Sequence, residues 1–244
     1  MNKAKAYRYL PFLILAVLLV QNFNNGVLNN PKSYFSNMIL LLPGIIIGIT
    51  FHEFAHAFVS SRLGDPTPKE QGRITLNPRA HIDIYGFIAL IFCGFGWGKP
   101  VQIDNRYYKV KRRDELLVSL AGILMNLLLA LIFSLILRAW IVIHSNSAIN
   151  TDSLYGIIST VLIDVVSINI VLAVFNLIPV PPLDGFSVIN NIFDLERYSW
   201  FQTVYSNGFV ILLLLLITGV ISMIMTPITK ELNNFFIFKI SLGM

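Results

Sequence analysis

The chain has 244 residues, of which 55% carry apolar side chains and 13% are charged, whereas soluble domains carry about 25% charged residues. This composition excludes a water-soluble globule and a disordered chain, and a single cysteine excludes a disulfide-bonded framework. The net charge of +5 comes mostly from two short loops between apolar segments, which indicates membrane topology and contact with the lipid bilayer rather than nucleic-acid binding.

Six apolar segments divide the chain, and a membrane-spanning helix needs about 20 mostly apolar residues. Residues 7–23 follow Lys3 and Lys5, contain Arg8 near their start and lack a small-residue cleavage site, so they predict a retained anchor helix. Four further segments are long enough to cross a membrane: 38–61, 116–143, 154–178 and 208–228. Residues 84–97 are shorter and rich in glycine, and they predict a re-entrant hairpin or a tilted half-span. An amphipathic stretch at 186–200 lies between the last two spans.

These segments predict an all-α polytopic membrane protein with about five to six transmembrane helices. Alternating stretches at 72–76 and 100–103 add a small β-sheet beside the re-entrant element, on the cytoplasmic side. We expect one integral membrane domain over residues 1–244. Its expected parts are an N-terminal anchor helix and loop (1–37), a core (38–195), and a C-terminal helix and tail (196–244).

Basic residues set the predicted orientation in the cell membrane. The loops 62–83 and 98–114 hold four and six Lys or Arg residues, so the positive-inside rule places both in the cytoplasm. The loops 21–37 and 139–153 are poor in positive charge and are therefore predicted to be external. This arrangement puts the N-terminus in the cytoplasm.

The second apolar segment carries the motif His52-Glu53-x-x-His56. Histidines four residues apart lie on one face of a helix, about 6 Å apart along its axis. Two such imidazoles can share one tetrahedral metal ion, and a glutamate beside them serves as a general base in metal-dependent hydrolysis. Burial of these groups in lipid without a partner is costly, which favours a metal site over a structural cluster.

A catalytic zinc ion takes a third protein ligand, and the position six residues after His56 is arginine. Asp184 is the best candidate, because it follows a proline-rich helix end. Like the two histidines, it is predicted to lie near the cytoplasmic side. His81 is cytoplasmic and stays an alternative. Glu70 lies in a solvated basic loop, and His144 lies at the predicted external end of its segment.

Together these motifs resemble the site-2 protease family of intramembrane zinc metalloproteases, peptidase family M50. The resemblance rests on His52-Glu53-x-x-His56, on Leu183-Asp184-Gly185 at the end of a stretch that begins at Asn176, and on Ala121-Gly122-x-x-x-Asn126. Loop motifs near 72–83 and 96–101 are similar to the compact branch without PDZ or CBS domains. The resemblance covers about residues 40–195.

The resemblance implies a zinc-dependent endopeptidase that cuts single-pass membrane proteins in or near their transmembrane segments, in regulated intramembrane proteolysis. It implies one Zn²⁺ per chain, with Glu53 as the catalytic base. The implied ligands are His52, His56 and Asp184. Asn126 and Asn176 are expected to position the substrate backbone or an oxyanion, and hydrogen bonding between helices is the alternative role for both.

Two other functions stay open as alternatives. Another class of membrane protease with the same histidine motif would need a glutamate as third ligand and a larger soluble portion. A membrane-embedded zinc transporter would repeat acidic or histidine ligands along a path through the membrane, whereas an inactive scaffold would bind zinc without using Glu53. Replacement of Glu53 by glutamine separates an enzyme from a transporter or a scaffold.

Overall fold

The computed structural model describes residues 16–17, 19–20, 30–93, 96–149 and 153–242. Within these ranges the chain is helical and has no β-strand, which confirms the all-α class. The predicted anchor helix at 7–23 lies almost entirely outside the described residues.

The helices are α1 (Pro31–Arg62), α2 (Thr67–Glu70), α3 (Ile84–Cys93), α4 (Lys111–Ile149), α5 (Leu154–Asn176), α6 (Asp184–Phe193), α7 (Phe201–Ser206), α8 (Gly208–Ile217) and α9 (Val220–Asn233). A π-helical segment, Asn234–Leu242, continues α9, and short 3-10 turns occupy Pro78–Ala80, Asn105–Tyr107 and Leu195–Arg197. Capping side chains fix two of the helix starts. Asn30 accepts a hydrogen bond from the Ser33 amide at 3.2 Å, and Ser153 accepts one from the Gly156 amide at 3.0 Å.

Among the described residues, three helices are long and apolar enough to cross a membrane, and a bent pair would make a fourth span. The three are α1, α4 (as far as His144) and α5. The predicted span at 208–228 is interrupted at Gly219, whose φ of 75° starts a new helix direction, so α8 and α9 meet at 75°. The prediction of five to six spans is therefore not supported over these residues.

The two ends of the short apolar segment at 84–97 lie close together. Its helical part, α3, has ten residues and is about 15 Å long, too short to cross a bilayer. Ile82 and Gly98 form an isolated antiparallel bridge that closes the excursion. A Cβ atom on Gly86 would lie 2.1 Å from the carbonyl oxygen of Trp97, so glycine lets the returning chain pass α3 closely. The described ends of the segment therefore favour the re-entrant form of the prediction.

The predicted β-sheet between 72–76 and 100–103 is wrong, because neither stretch forms a strand. The buried guanidinium of Arg73 donates hydrogen bonds to the carbonyl oxygens of Ala80 and Lys99. A side chain, rather than a β-ladder, therefore ties the two loops together. The alternation of the sequence does not mark a buried face here, because Leu76 and Ile103 are exposed whereas Arg73 is buried.

A buried network fixes the loop before α4 to the end of α1. Ser60 donates a hydrogen bond to Asp65 at 2.7 Å, and its hydroxyl is also 2.7 Å from that of Tyr108. Burial raises the pKa of Tyr108 to about 12. Burial also opposes the charge on Asp65, but hydrogen bonds from Thr67, Asp104 and Ser60 hold the pKa of that carboxyl below its usual value.

The core lies where α1, α4 and α5 pack against one another. Its best-buried cluster joins α4 and α5 to the π-helical segment and consists of Ala130, Val166, Ile170, Val174 and Phe236. The amphipathic stretch predicted at 186–200 begins as α6, which packs against α4. This packing brings the start of α6 to the motif-bearing part of α1.

Candidate metal centre

The two histidines of α1 and the first residue of α6 converge on one point. The Nε2 atoms of His52 and His56 lie 3.0 Å apart, and the Oδ2 atom of Asp184 lies 3.2 Å from each of them. Both histidines are 7% exposed, whereas the Asp184 side chain is 20% exposed. Among the described residues, these are the three ligand-type side chains that could hold one ion.

The distances match a tetrahedral zinc site. Zinc–nitrogen bonds of about 2.0–2.1 Å put two ligand atoms of a tetrahedron about 3.3 Å apart. Oδ2 of Asp184 is buried and accepts no hydrogen bond from the described residues, although it faces both imidazoles. Two imidazoles and one carboxylate also form a donor set that suits zinc and leaves a fourth position for chemistry. The residues therefore fit a catalytic zinc ion.

Hydrogen bonds behind the histidines set their tautomers. The side-chain nitrogen of Asn126 donates to the carbonyl oxygen of Gly48 at 3.2 Å and to Oδ1 of Asn169 at 2.9 Å. Its oxygen is then the acceptor for the Nδ1–H of His52, at 2.6 Å. The Nδ1–H of His56 donates to the carbonyl oxygen of Val118 at 2.7 Å. Both Nε2 atoms consequently present lone pairs to the metal position.

A close approach of α4 to α1 depends on Gly122. A Cβ atom at this position would lie 2.5 Å from Cε1 of His52 and 2.5 Å from Nε2 of His56. Any larger residue would displace the imidazoles from the metal position. The glycine of the Ala-Gly-x-x-x-Asn motif therefore makes room for the site, and the asparagine of the same motif orients one of its ligands.

Glu53 lies beside the two histidines and is held by the chain segment that follows residues 84–97. Its Oε2 atom accepts a hydrogen bond from the Val101 amide at 3.0 Å. A Cβ atom on Gly98 would lie 3.8 Å from the other carboxylate oxygen, so residues 98–101 pass directly over this side chain. Glu53 is half-buried.

The other candidate ligands lie elsewhere. His81 is fully buried in the loop before α3, where its Nε2–H donates to the carbonyl oxygen of Thr75 at 2.8 Å, and burial lowers its pKa. His144 stacks on Trp140 with ring centroids 4.0 Å apart. Glu70 is exposed in α2.

The structure gives the two predicted substrate-positioning asparagines different surroundings. Asn126 is fully buried, and both ends of its amide are bonded to protein groups. Asn176 donates within its own helix, to the Leu172 carbonyl oxygen at 2.9 Å. The predicted substrate contact remains a prediction for both. Asn169, which completes the amide chain, was missed, although an asparagine in an apolar helix is a signal for such a contact.

The fold and site define a metallopeptidase centre built among membrane-type helices. The sequence profile of Peptidase family M50 matches residues 40–217. The chain is 37% identical over 196 residues to "Putative zinc metalloprotease YwhC" of Bacillus subtilis (strain 168), covering 79% of this chain and 86% of that protein. It is 28% identical over 194 residues to "Putative zinc metalloprotease Rip2" of Mycolicibacterium smegmatis, covering 77% and 70% respectively. No solved structure gives a significant match. The chain belongs to peptidase family M50.

Proposed function

We infer that this protein is an intramembrane zinc metalloprotease that hydrolyses peptide bonds in or near the transmembrane segments of membrane proteins. The observation that carries this conclusion is the triangle of His52, His56 and Asp184 ligand atoms, 3.0 to 3.2 Å apart. Its ligands come from a membrane-type helix and from a helix start beyond a proline break. The family match and the names of the relatives support the same activity.

The residues around the triangle have different chemical roles. When bound, zinc supplies a Lewis acid that polarises the scissile carbonyl and makes water a stronger acid. Glu53 accepts the proton of the attacking water and passes it to the leaving amine. The Val101 amide holds the Glu53 carboxylate in place at 3.0 Å, and Asn126 keeps His52 in its ligating tautomer.

The arrangement of the ligands argues against transport as the function. A transport path needs acidic or histidine groups at several depths of the membrane. Among the described residues, the ligand-type groups form one cluster at one end of the bundle. The third ligand is an aspartate rather than the glutamate expected for another class of membrane protease with this histidine motif.

We further propose the topology and the substrate class. The anchor at 7–23, the three long helices and the bent pair together make five crossings, with α3 re-entrant. The basic loops lie at the same end of the bundle as Asp184, so the N-terminus and the active site belong to the cytoplasmic side. Single-pass membrane proteins are the proposed substrates.

The experiment that tests the activity is replacement of Glu53 by glutamine in the purified protein. We expect cleavage of a single-pass reporter to fall at least about 100-fold, because the general base is lost. Zinc content should stay at one ion per chain, measured by elemental analysis. Glu70→Gln is the matched control, since Glu70 is exposed and outside the site. Full cleavage by E53Q would overturn the proposed function.

A further inference from the structure

A cavity of about 570 Å³ opens beside the metal centre, between the start of α4, helices α6 and α7, and the loop that precedes α4. This volume is in the range that holds a peptide segment or a small ligand. The lining residues on which the argument depends are Ile103, Glu115, Phe186, Asn190, Glu196 and Phe201.

Three short paths connect the cavity to the metal centre. Val118 lines the cavity, and its carbonyl oxygen accepts the hydrogen bond from His56. Phe186 lines it two residues after Asp184. Ile103 lines it two residues after Val101, whose amide holds Glu53. Two extended residues span about 7 Å, so a substrate chain leaving the catalytic position enters the cavity within a few residues.

The charge of the cavity is negative. Its described lining contains the carboxylates Glu115 and Glu196 and no lysine or arginine. The adjoining depression shares Glu115 and Glu196 with the cavity and also contains Lys111 and Arg112, of which Arg112 is paired with Asp194. Glu196 is exposed, so its charge is available to a ligand.

The uncharged part of the lining suits the carbon stem of a lysine or arginine side chain. Asn190 donates to Glu196 at 3.2 Å, whereas its own oxygen is buried and accepts no hydrogen bond from the described residues. Phe186 and Phe201 stack with centroids 5.7 Å apart, and Phe201 stacks on Tyr205 at the same distance. Such a floor packs against the carbon stems of lysine and arginine, while carboxylates and a free amide oxygen bind their cationic ends.

We propose that this cavity binds the basic segment that flanks the substrate's transmembrane helix on the cytoplasmic side. The positive-inside rule makes lysine and arginine common in such flanks, so the charges of cavity and flank are complementary. This inference rests on the proposed function and adds a specificity determinant to it. The enzyme therefore selects substrates by the charge next to the membrane as well as by the transmembrane segment.

The test compares three reporters with the same transmembrane segment, whose cytoplasmic flanks are rich in lysine, in glutamine or in glutamate. For the wild type, we expect kcat/KM to be higher for the basic flank by about fivefold or more, the scale of one well-placed ion pair. Glu196→Lys should abolish this ratio, and a glutamate-rich flank should then become the better substrate. Glu231→Lys, an exposed charge reversal that does not line the cavity, should keep the wild-type ratio.

A ratio that is unchanged in E196K would overturn the proposal. An equal loss on all three flanks would also overturn it, because the cavity would then serve the fold or the chemistry rather than recognition. These results differ from a failure of the proposed function, in which the wild type cleaves none of the three reporters or E53Q cleaves them as the wild type does.

Discussion

The orientation of His52 depends on an amide chain that crosses three helices. Asn169 on α5 donates to the Val165 carbonyl oxygen at 2.8 Å and accepts from Asn126 on α4, which in turn accepts from His52 on α1. The orientation of the Asn126 amide is fixed, because its nitrogen donates to the Gly48 carbonyl oxygen and its oxygen must then face the Nδ1–H of His52. The chain therefore selects the tautomer that leaves Nε2 of His52 free to bind metal.

Replacement of Asn126 by leucine should weaken zinc binding by about 10- to 100-fold, the usual effect of losing a group that orients a metal ligand. The buried Nδ1–H of His52 would lose its acceptor, and the imidazole would be free to take the other tautomer. Competition with a zinc chelator of known affinity measures the change. Ser134→Ala is the control, since Ser134 is equally buried on the same helix and donates within that helix to the Ala130 carbonyl oxygen. Equal affinities for N126L and the wild type would contradict this role.

The sequence predicts the three metal ligands better than it predicts the hydrogen bond that orients His52. His52 and His56 are four residues apart on one helix, so helical geometry alone places them together. Asp184 was placed by the proline-rich helix end before it and by its predicted membrane depth. The contact of Asn126 with His52 depends on how closely α4 approaches α1 at Gly122, which a sequence pattern does not contain.

At the scale of elements, the loop between α2 and α3 is held by buried polar side chains instead of strand pairing. Arg73 binds carbonyl oxygens on both sides of the re-entrant hairpin, and His81 anchors the turn at Thr75. This loop supports residues 98–101, which in turn hold Glu53 through the Val101 amide. The sequence predicted strands here because every second residue is apolar, but Leu76 and Ile103 are exposed in the structure, so the alternation does not mark a buried face. The guanidinium supplies the hydrogen bonds that a ladder would have made.

His81 should make the protein less stable as the pH falls below its ordinary pKa of 6.5. Burial lowers the pKa of His81 in the folded state, with Arg73 adding to the effect, so the unfolded chain takes up a proton more readily. At pH values above 6.5 both states are neutral and His81 contributes no pH dependence. Below it, proton uptake favours the unfolded chain until the pH passes the folded-state value.

Thermal unfolding in detergent between about pH 7 and about pH 5 tests this contribution. The apparent Tm of His81→Gln should fall less steeply with decreasing pH than that of the wild type. His144→Gln is the control, because His144 stacks on Trp140 away from this loop and its replacement leaves His81 in place. Parallel curves for H81Q and the wild type would show that the buried imidazole does not control the pH response.

At the scale of the whole molecule, the metal centre joins a long membrane-type helix to the start of a short helix that is distant in the sequence. The core bundle of α1, α4 and α5 supplies two ligands, whereas the third comes from α6, which follows the last of these helices. The sequence predicted the three long helices well, because each is a continuous apolar segment. It did not predict the break at Gly219, since glycine within an apolar segment is compatible with a straight helix as well as with a bend.

Because zinc would connect α1 to α6, its removal should loosen the packing of the whole end of the bundle that carries the ligands. A ligand present at about 100 times its Kd stabilises the folded state by about 2.7 kcal/mol. For a chain of this size that corresponds to an apparent Tm about 5–10 °C higher with zinc than with a chelator. Asp184→Asn should lose most of this difference while keeping the shape of the side chain, because a neutral amide oxygen is a poor zinc ligand. A zinc-dependent shift of the same size in D184N would mean that α6 is held to the bundle without the metal, and that Asp184 does not complete the site.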